Sequence, residues 1–177
     1  MLHRRSHTPA HLLLDDTPYF ITGAIKHRRR LLQDDALKQA FLRCLRQTCL
    51  NHAWELQHWV ILDNHYHLLA KSGLGRLLPQ LVKELHSRSA HFIRAASDCE
   101  LPVWWNYWDY CPRDEQDYYR HLNYLLYNPV KHGYVTDLKD YPFSSFRALL
   151  GSLGRERLIE QFRSHADFHK LDIQDDF

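Results

Sequence analysis

The stretch DNHYHLLAKS, residues 63–72, decides how the middle of the chain folds. Asp63 and Asn64 favour a turn, and strand-forming residues stand on both sides of them, AWELQHWVIL before and HYHLLAKS after. The pattern therefore predicts two antiparallel strands joined by a tight connection. Because side chains alternate across a strand, His65 and His67 are expected to project side by side from one face.

Two further strands and three helices are predicted around this pair. Strand patterns occur in YFITGAI (residues 19–25) and PVWWNYWDYC (residues 102–111), and helical periodicity runs through residues 34–50, 76–96 and 113–128. The last helix starts behind acidic residues and is expected to stop at Pro129. The order β-α-β-β-α-β-α predicts a ferredoxin-like α+β sandwich with an antiparallel sheet and an added C-terminal helix.

The composition is that of an ordinary globular domain. The chain has 177 residues, of which 45% are hydrophobic and 25% charged, so one domain can bury its own core. The net charge of +2 is too small to imply a nucleic-acid partner by itself. No C-x-x-C pair, signal segment or membrane span is visible, so reduced thiols and a cytoplasmic protein are expected.

Positive charge is concentrated in KHRRR, residues 26–30. This run is the best candidate for a phosphate-binding edge, although a solvated strand end is an equally good interpretation. The candidate nucleic-acid contacts are Arg28, Arg29, Arg30, Lys71 and Arg88. Among the aromatic residues of PVWWNYWDYC, core packing is favoured, and the remaining rings would stack unpaired bases.

The last predicted helix carries a polar stripe beside its apolar face. The apolar face comprises Tyr118, Leu122 and Leu125, and the stripe comprises Asp117, His121, Tyr124 and Asn128. Tyr124 and Asn128 are four residues apart, so a phenol and an amide oxygen could reach the same point in space. His121 is interpreted as a surface residue. Tyr127, roughly opposite the apolar face, is a rival nucleophile that its helical angle separates from Asn128.

If the stripe faces the two strand histidines, a catalytic set results. Two neutral imidazoles and one amide oxygen leave coordination positions open on a divalent cation, and Mg²⁺ or Mn²⁺ suits phosphoryl chemistry without a thiolate. The cation would bind a phosphodiester oxygen as a Lewis acid while Tyr124 attacks phosphorus. The phosphotyrosine formed would keep the energy of the broken strand, so rejoining would need no ATP.

Three segments, DNHYHLL, NYLLYNPVKHGYV and DYPFSSF, resemble the tyrosine transposases of the smallest insertion sequences, and most closely their REP-associated branch. The resemblance covers roughly residues 17–147. It implies that His65 and His67 form the metal-binding HUH motif, that Asn128 completes the metal site, and that Tyr124 is the nucleophile. One departure is Asp63, which stands where the family commonly has proline.

The resemblance also implies an activity and a domain layout. Residues 1–150 are expected to form the HUH single-tyrosine domain, and residues 151–177 an extension of unassigned role. The implied function is a metal-dependent single-strand DNA endonuclease and transesterase, a transposase that cleaves and rejoins DNA near REP-like hairpins through a 5′-phosphotyrosine. The expected partner is single-stranded DNA with a hairpin, bound by a monomer or homodimer without any membrane association.

Other functions fit the same residues. A non-catalytic module that binds single-stranded nucleic acid on the same sheet is the main alternative, and it makes the histidines incidental. A replication initiator or relaxase relative is a weaker one, because those proteins usually lack the Asn-Pro-Val-Lys ending. Zinc hydrolysis is disfavoured, since no H-E-x-x-H motif or closed Cys/His cluster exists.

Overall fold

A four-stranded antiparallel sheet lies at the centre of the structure, a computed structural model that describes residues 13–173. The strands are β1 (Pro18–Ile25), β2 (Glu55–Ile61), β3 (His65–Lys71) and β4 (Trp104–Tyr110). Their order across the sheet is β2-β3-β1-β4, and every neighbouring pair is antiparallel. This arrangement confirms the predicted ferredoxin-like α+β architecture.

Five α-helices accompany the sheet in the described part of the chain. They are α1 (Asp35–Asn51), α2 (Leu78–Ser97), α3 (Glu115–Lys131), α4 (Phe146–Leu153) and α5 (Arg155–Ser164). Helices α1 and α2 contact each other, whereas α3 packs on β2 and β3. None of the helices described here is long and apolar enough to cross a membrane.

Strand β3 separates the two faces of the sheet as its alternation predicts. Tyr66 contacts Phe41 of α1 and Trp104 at the start of β4, with ring centroids 5.1 and 5.5 Å away. The neighbouring His67 points to the other face, where its ring centroid lies 5.7 Å from that of Tyr124 on α3. The two-residue period of one buried strand therefore builds an apolar core on one side and a polar cluster on the other.

Helix α3 is longer than the sequence predicted. The expected stop at Pro129 is wrong, because the helix continues through this residue to Lys131. A proline in the last turn costs only one backbone hydrogen bond, and the N–H of His132 still donates to the carbonyl of Asn128 at 3.0 Å. Gly133, with φ of 71°, ends the helix in the left-handed conformation that glycine adopts without strain.

The segment after residue 150 covers the outer side of α3. The amide of Asn123 donates to the carbonyl of Gln161 in α5, and the Gln161 amide donates back to Asn123 Oδ1 at 2.8 Å. Tyr127 packs on Phe168, with ring centroids 5.5 Å apart. Helix α3 is therefore buried on its outer side as well as on the sheet, which periodicity within the helix alone did not indicate.

Gly23 of β1 lies opposite Tyr66 in the β1–β3 pairing. A Cβ added at this glycine would overlap the Tyr66 ring, which is fully buried and cannot move aside. The glycine is therefore required by close packing on the α1/α2 face.

We expect Gly23→Ala to lower the free energy of unfolding by about 2 kcal/mol, because the methyl group overpacks a closed core. Urea denaturation followed by circular dichroism measures this loss. Gly151→Ala is the matched control, since nothing lies within 4 Å of a Cβ at that helical position. The control should be neutral or slightly stabilising, and equal stability of both variants would contradict the packing account.

Candidate active site

The first residues of β3 and the last turns of α3 meet on the face of the sheet opposite α1 and α2. Nε2 of His65 lies 3.2 Å from Oδ1 of Asn128. The ring centroids of His65 and His67 are 5.0 Å apart, and Tyr124 stands edge-on to His67. All four predicted residues come together, and none of their side chains is more than 5% exposed.

Both histidines are held through Nδ1. Oδ1 of Asn64 lies 2.7 Å from Nδ1 of His65, and Oγ1 of Thr22 lies 2.7 Å from Nδ1 of His67. When each Nδ1–H donates to its oxygen, Nε2 carries the lone pair and is the coordinating nitrogen in the proposed site. These partners are of the kind that orients metal-binding imidazoles.

The donor set around Asn128 fits a divalent cation. With Nδ1–H of His65 donating to Asn64, the lone pair of Nε2 faces Asn128 Oδ1, another acceptor, at 3.2 Å. Adjacent ligands of an octahedral ion lie about 3.0 Å apart when metal–ligand bonds are about 2.1 Å. Nδ2 of Asn128 is buried and has no hydrogen-bond partner in residues 13–173. In this tautomer the lone pairs of His65 Nε2 and Asn128 Oδ1 repel each other, and a cation bound between them would remove that repulsion.

Among residues 13–173, the cluster has no acidic ligand. Within the part of the chain that the structure describes, no three or more His, Cys, Asp or Glu side chains are grouped to hold a metal. A cation here would therefore depend on two imidazoles, one amide oxygen, and oxygens from water or substrate. Such a donor set would leave coordination positions open for a phosphate.

The hydroxyl of Tyr124 has a cationic neighbour that the sequence analysis missed. Nζ of Lys131 donates to Tyr124 Oη at 2.8 Å and lies 4.7 Å from the centroid of the phenol ring. The two residues are seven positions apart, which corresponds to two helical turns. This spacing would have placed Lys131 on the same helix face as Tyr124. It was missed because the helix was expected to end at Pro129.

A second cluster of polar side chains, which includes His121 and Asp117, lies nearer the N-terminus of α3 than Tyr124. His121 is buried rather than on the surface, which corrects the sequence interpretation, and its ring stacks on Tyr110 at 4.7 Å. Burial lowers the pKa of His121, so the neutral imidazole is favoured. The pKa of Asp117 is also lowered: although burial opposes this, the Tyr110 hydroxyl and the Arg113 backbone N–H donate to its carboxylate.

A cavity of about 470 Å³ opens beside this group and next to Thr22. Its aromatic lining includes Trp108 and Tyr110 of β4, and its basic lining includes Arg113, Arg120 and Lys170. The cavity therefore adjoins Thr22, the residue that holds His67, and its lining combines aromatic rings with basic side chains and with Asp109, Asp117 and Asp172.

The basic run reaches the histidine end of the sheet. Ile25 N–H donates to the carbonyl of Asn64, which places residues 26–30 beside the start of β3. Arg28 ends a short 3₁₀ turn there. The guanidinium of Arg29 donates to two backbone carbonyls of the segment before β4, and that of Arg30 donates to Asp63 at 2.6 Å.

The other two candidate nucleic-acid contacts lie elsewhere. Lys71 is at the opposite end of β3 from His65 and pairs with Asp16 at 2.7 Å. Arg88 is on α2, across the sheet from the site, and pairs with Glu84 at 3.1 Å. The structure does not bring these two residues to the candidate site, and their contact with nucleic acid stays a prediction.

A buried ion pair supports the turn that leads to His65. Nζ of Lys38 lies 2.7 Å from Oδ1 of Asp63, and the two side chains are only 5% and 7% exposed. Arg30 binds the other oxygen of the same carboxylate. Asp63, the residue that departs from the family pattern, therefore ties α1 and the basic run to the turn before the first histidine.

We expect Asp63→Asn to lower the free energy of unfolding by about 3 kcal/mol, because it leaves the Lys38 ammonium buried without its counter-charge. Chemical denaturation measures the change. Asp137→Asn is the control, since its pair with Lys139 is about half exposed and should contribute less than about 1 kcal/mol. Equal effects of the two changes would show that the buried pair has no special role.

The fold and the convergence of two histidines, a tyrosine and an asparagine correspond to the class expected from the sequence, a tyrosine transposase. Residues 15–110 match the family model described as Transposase IS200 like, and the chain belongs to this family. Transposases cleave and rejoin DNA, so the chain is an enzyme of that kind. The family match ends before α3, and Tyr124 and Asn128 therefore lie outside it.

Similar proteins carry a more specific description. A Haemophilus influenzae protein named as a REP-associated tyrosine transposase is 32% identical over 139 residues, covering 72% of this chain and 78% of the relative. The REP-associated tyrosine transposase of Escherichia coli K12 is 30% identical over 134 residues, covering 72% and 75%. These relatives confirm the resemblance to the REP-associated branch.

A solved structure shows the same fold. It is a REP-associated tyrosine transposase bound to a REP hairpin, with a TM-score of 0.66, 24% identity, and coverage of 84% of both chains. At this identity the match is evidence for the architecture alone.

Proposed function

We propose that this chain is a metal-dependent single-strand DNA endonuclease and transesterase that cuts and rejoins DNA near REP-like hairpins through a 5′-phosphotyrosine on Tyr124. The observation that carries the proposal is the meeting of Tyr124 and Asn128 of α3 with His65 and His67 of β3. The three donor side chains and the nucleophile come from two elements that are distant in sequence, and an ordinary core would not need this combination.

Tyr124 and the metal ligands have separate tasks in this proposal. His65, His67 and Asn128 would hold Mg²⁺ or Mn²⁺, which when bound supplies a Lewis acid for a phosphodiester oxygen. Thr22 and Asn64 keep the imidazoles oriented. The IS200-like family match and the fit of the donor set support metal dependence.

The covalent step exchanges one ester for another. The Tyr124 oxygen forms a bond to phosphorus while the bond from phosphorus to the 3′ oxygen breaks. The phenol gives up its proton to solvent and the departing 3′ oxygen takes one up, which leaves a free 3′ hydroxyl. Because the number of phosphoester bonds is unchanged, attack by another 3′ hydroxyl reverses the step without an energy source.

The cavity beside Thr22 and the basic run give the DNA strand two places to bind. Rings of Trp108 and Tyr110 suit stacking with unpaired bases. The KHRRR run lies at the histidine end of the sheet and suits a hairpin backbone. The binding of a REP hairpin by the structural relative supports a hairpin substrate for this chain.

One chain contains the whole proposed site. Tyr124 faces histidines of its own chain, so the proposed cleavage requires no residue from a second copy. A monomer is therefore sufficient for the first cut, and a homodimer would serve only to bring two DNA ends together.

Tyr124→Phe should abolish the covalent adduct while hairpin affinity stays within about threefold, because one hydroxyl is lost and the buried ring remains. The measurement uses a hairpin oligonucleotide with a 3′ fluorophore, Mn²⁺, and a denaturing protein gel, since the 3′ fragment is the one that stays attached. Tyr127→Phe, on the outer side of α3, should keep the adduct. An adduct in Tyr124→Phe, or none in the wild type with intact binding, would contradict the proposal and favour a binding module.

His67→Ala should reduce cleavage by at least about 100-fold and weaken Mn²⁺ binding by at least about 10-fold, because one of three protein ligands is removed. Titration calorimetry with Mn²⁺ gives the metal affinity without reference to activity. His91→Ala changes an exposed histidine of α2 and should leave both quantities unchanged. Normal cleavage by His67→Ala would remove the metal role of this residue.

A further inference from the structure

We propose that Lys131 is a catalytic residue of this transposase: its ammonium group stabilises negative charge on the Tyr124 oxygen both when the phosphotyrosine forms and when it is resolved. The inference rests on the proposed function and adds a role that neither the sequence analysis nor the family match assigns.

The geometry places the ammonium on the reacting atom. Nζ of Lys131 donates to Tyr124 Oη at 2.8 Å, the distance of a charge-assisted hydrogen bond. The same nitrogen lies 4.7 Å from the ring centroid, so the ammonium group sits over the phenol even though Lys131 is an exposed residue. Tyr124 is only 5% exposed, and Lys131 therefore approaches the buried hydroxyl from its open side.

The helix itself fixes the contact. Lys131 follows Tyr124 by two turns on α3, so both side chains rise from one face of a single rigid element. This depends on the helix continuing through Pro129, because a stop there would release Lys131 into a loop. The next residue, His132, places its ring 5.0 Å from that of His65. The end of α3 thus borders both the nucleophile and the proposed metal ligands.

The chemistry favours a positive group at this position. In cleavage, the Tyr124 oxygen carries developing negative charge before its bond to phosphorus is complete. In rejoining, the incoming 3′ hydroxyl forms a bond to phosphorus, the bond from phosphorus to the Tyr124 oxygen breaks, and its electron pair returns to that oxygen. Cleavage and its reversal pass through the same transition state, so a donor that is already in place stabilises both directions.

The first experiment compares Lys131→Met and Lys131→Arg with wild type in single-turnover reactions at saturating hairpin DNA and Mn²⁺. Lys131→Met should slow adduct formation and religation by a similar factor, roughly 10- to 100-fold, the range that one hydrogen bond to a charged group corresponds to. Hairpin affinity, measured by fluorescence anisotropy, should change less than about threefold. Lys131→Arg should recover most of the rate, and the exposed Lys139→Met should react like wild type.

The second experiment separates catalysis from structural support. Lys131→Ala should be slow, and added propylammonium should restore part of its rate in proportion to concentration, because it returns an N–H donor to the vacated space. Tetramethylammonium at the same concentration carries the charge without a donor and should not restore the rate. A purely structural lysine would show no such difference between the two cations.

The outcomes distinguish this inference from the function on which it rests. An adduct in wild type with unchanged rates in Lys131→Met would overturn the role of Lys131 and leave the phosphotyrosine mechanism intact. A slow Lys131→Met variant would also overturn it if Lys131→Arg is equally slow and propylammonium does not restore the rate of Lys131→Ala. Absence of any adduct from the wild type would overturn both.

Discussion

The packing of α3 on β3 is the contact on which the rest of this protein depends. It brings Asn128 to 3.2 Å from His65 and sets Tyr124 edge-on to His67, all below 6% exposure. Burying this many polar groups against a sheet is costly unless each has a partner or a ligand. The unpartnered amide nitrogen of Asn128, within the described residues, marks the point where protein contacts alone do not meet that requirement. In the proposed complex with DNA, a phosphate oxygen would accept from this amide nitrogen.

The surroundings of this contact act mainly by fixing positions. On the strand side, Thr22 and Asn64 set the imidazoles, and the buried pair of Asp63 with Lys38 anchors the turn before them. On the helix side, the C-terminal segment covers α3 and leaves its inner face toward the sheet. Both sides of the site are thereby held by rigid elements. Precise placement of the reacting groups contributes much of the rate of an enzyme whose chemistry is transfer of a phosphoryl group.

The family relationship and the geometry support different parts of the account. The match to IS200-like transposases covers residues 15–110 and so includes the histidine strand. The tyrosine helix lies beyond that match, and its assignment rests on the resemblance of the NYLLYNPVKHGYV segment and on its contacts in space. Lys131 belongs to this second part. Its contact with Tyr124 joins the asparagine-proline end of the motif to the oxygen of the proposed nucleophile, and this contact requires the continuation of α3 past Pro129.

The sequence by itself determined the order of elements, the face on which His65 and His67 point, and the stripe that carries Tyr124 and Asn128, because two-residue and 3.6-residue periods are local properties. It did not determine which helix face the C-terminal segment covers, that His121 is buried, or that Lys131 reaches the tyrosine. Those features depend on contacts between residues far apart in the chain, and on a helix whose packing outweighs the local cost of a proline. Only the tertiary structure decides these features, because intrinsic helix propensity contributes less free energy than burial of side chains by packing.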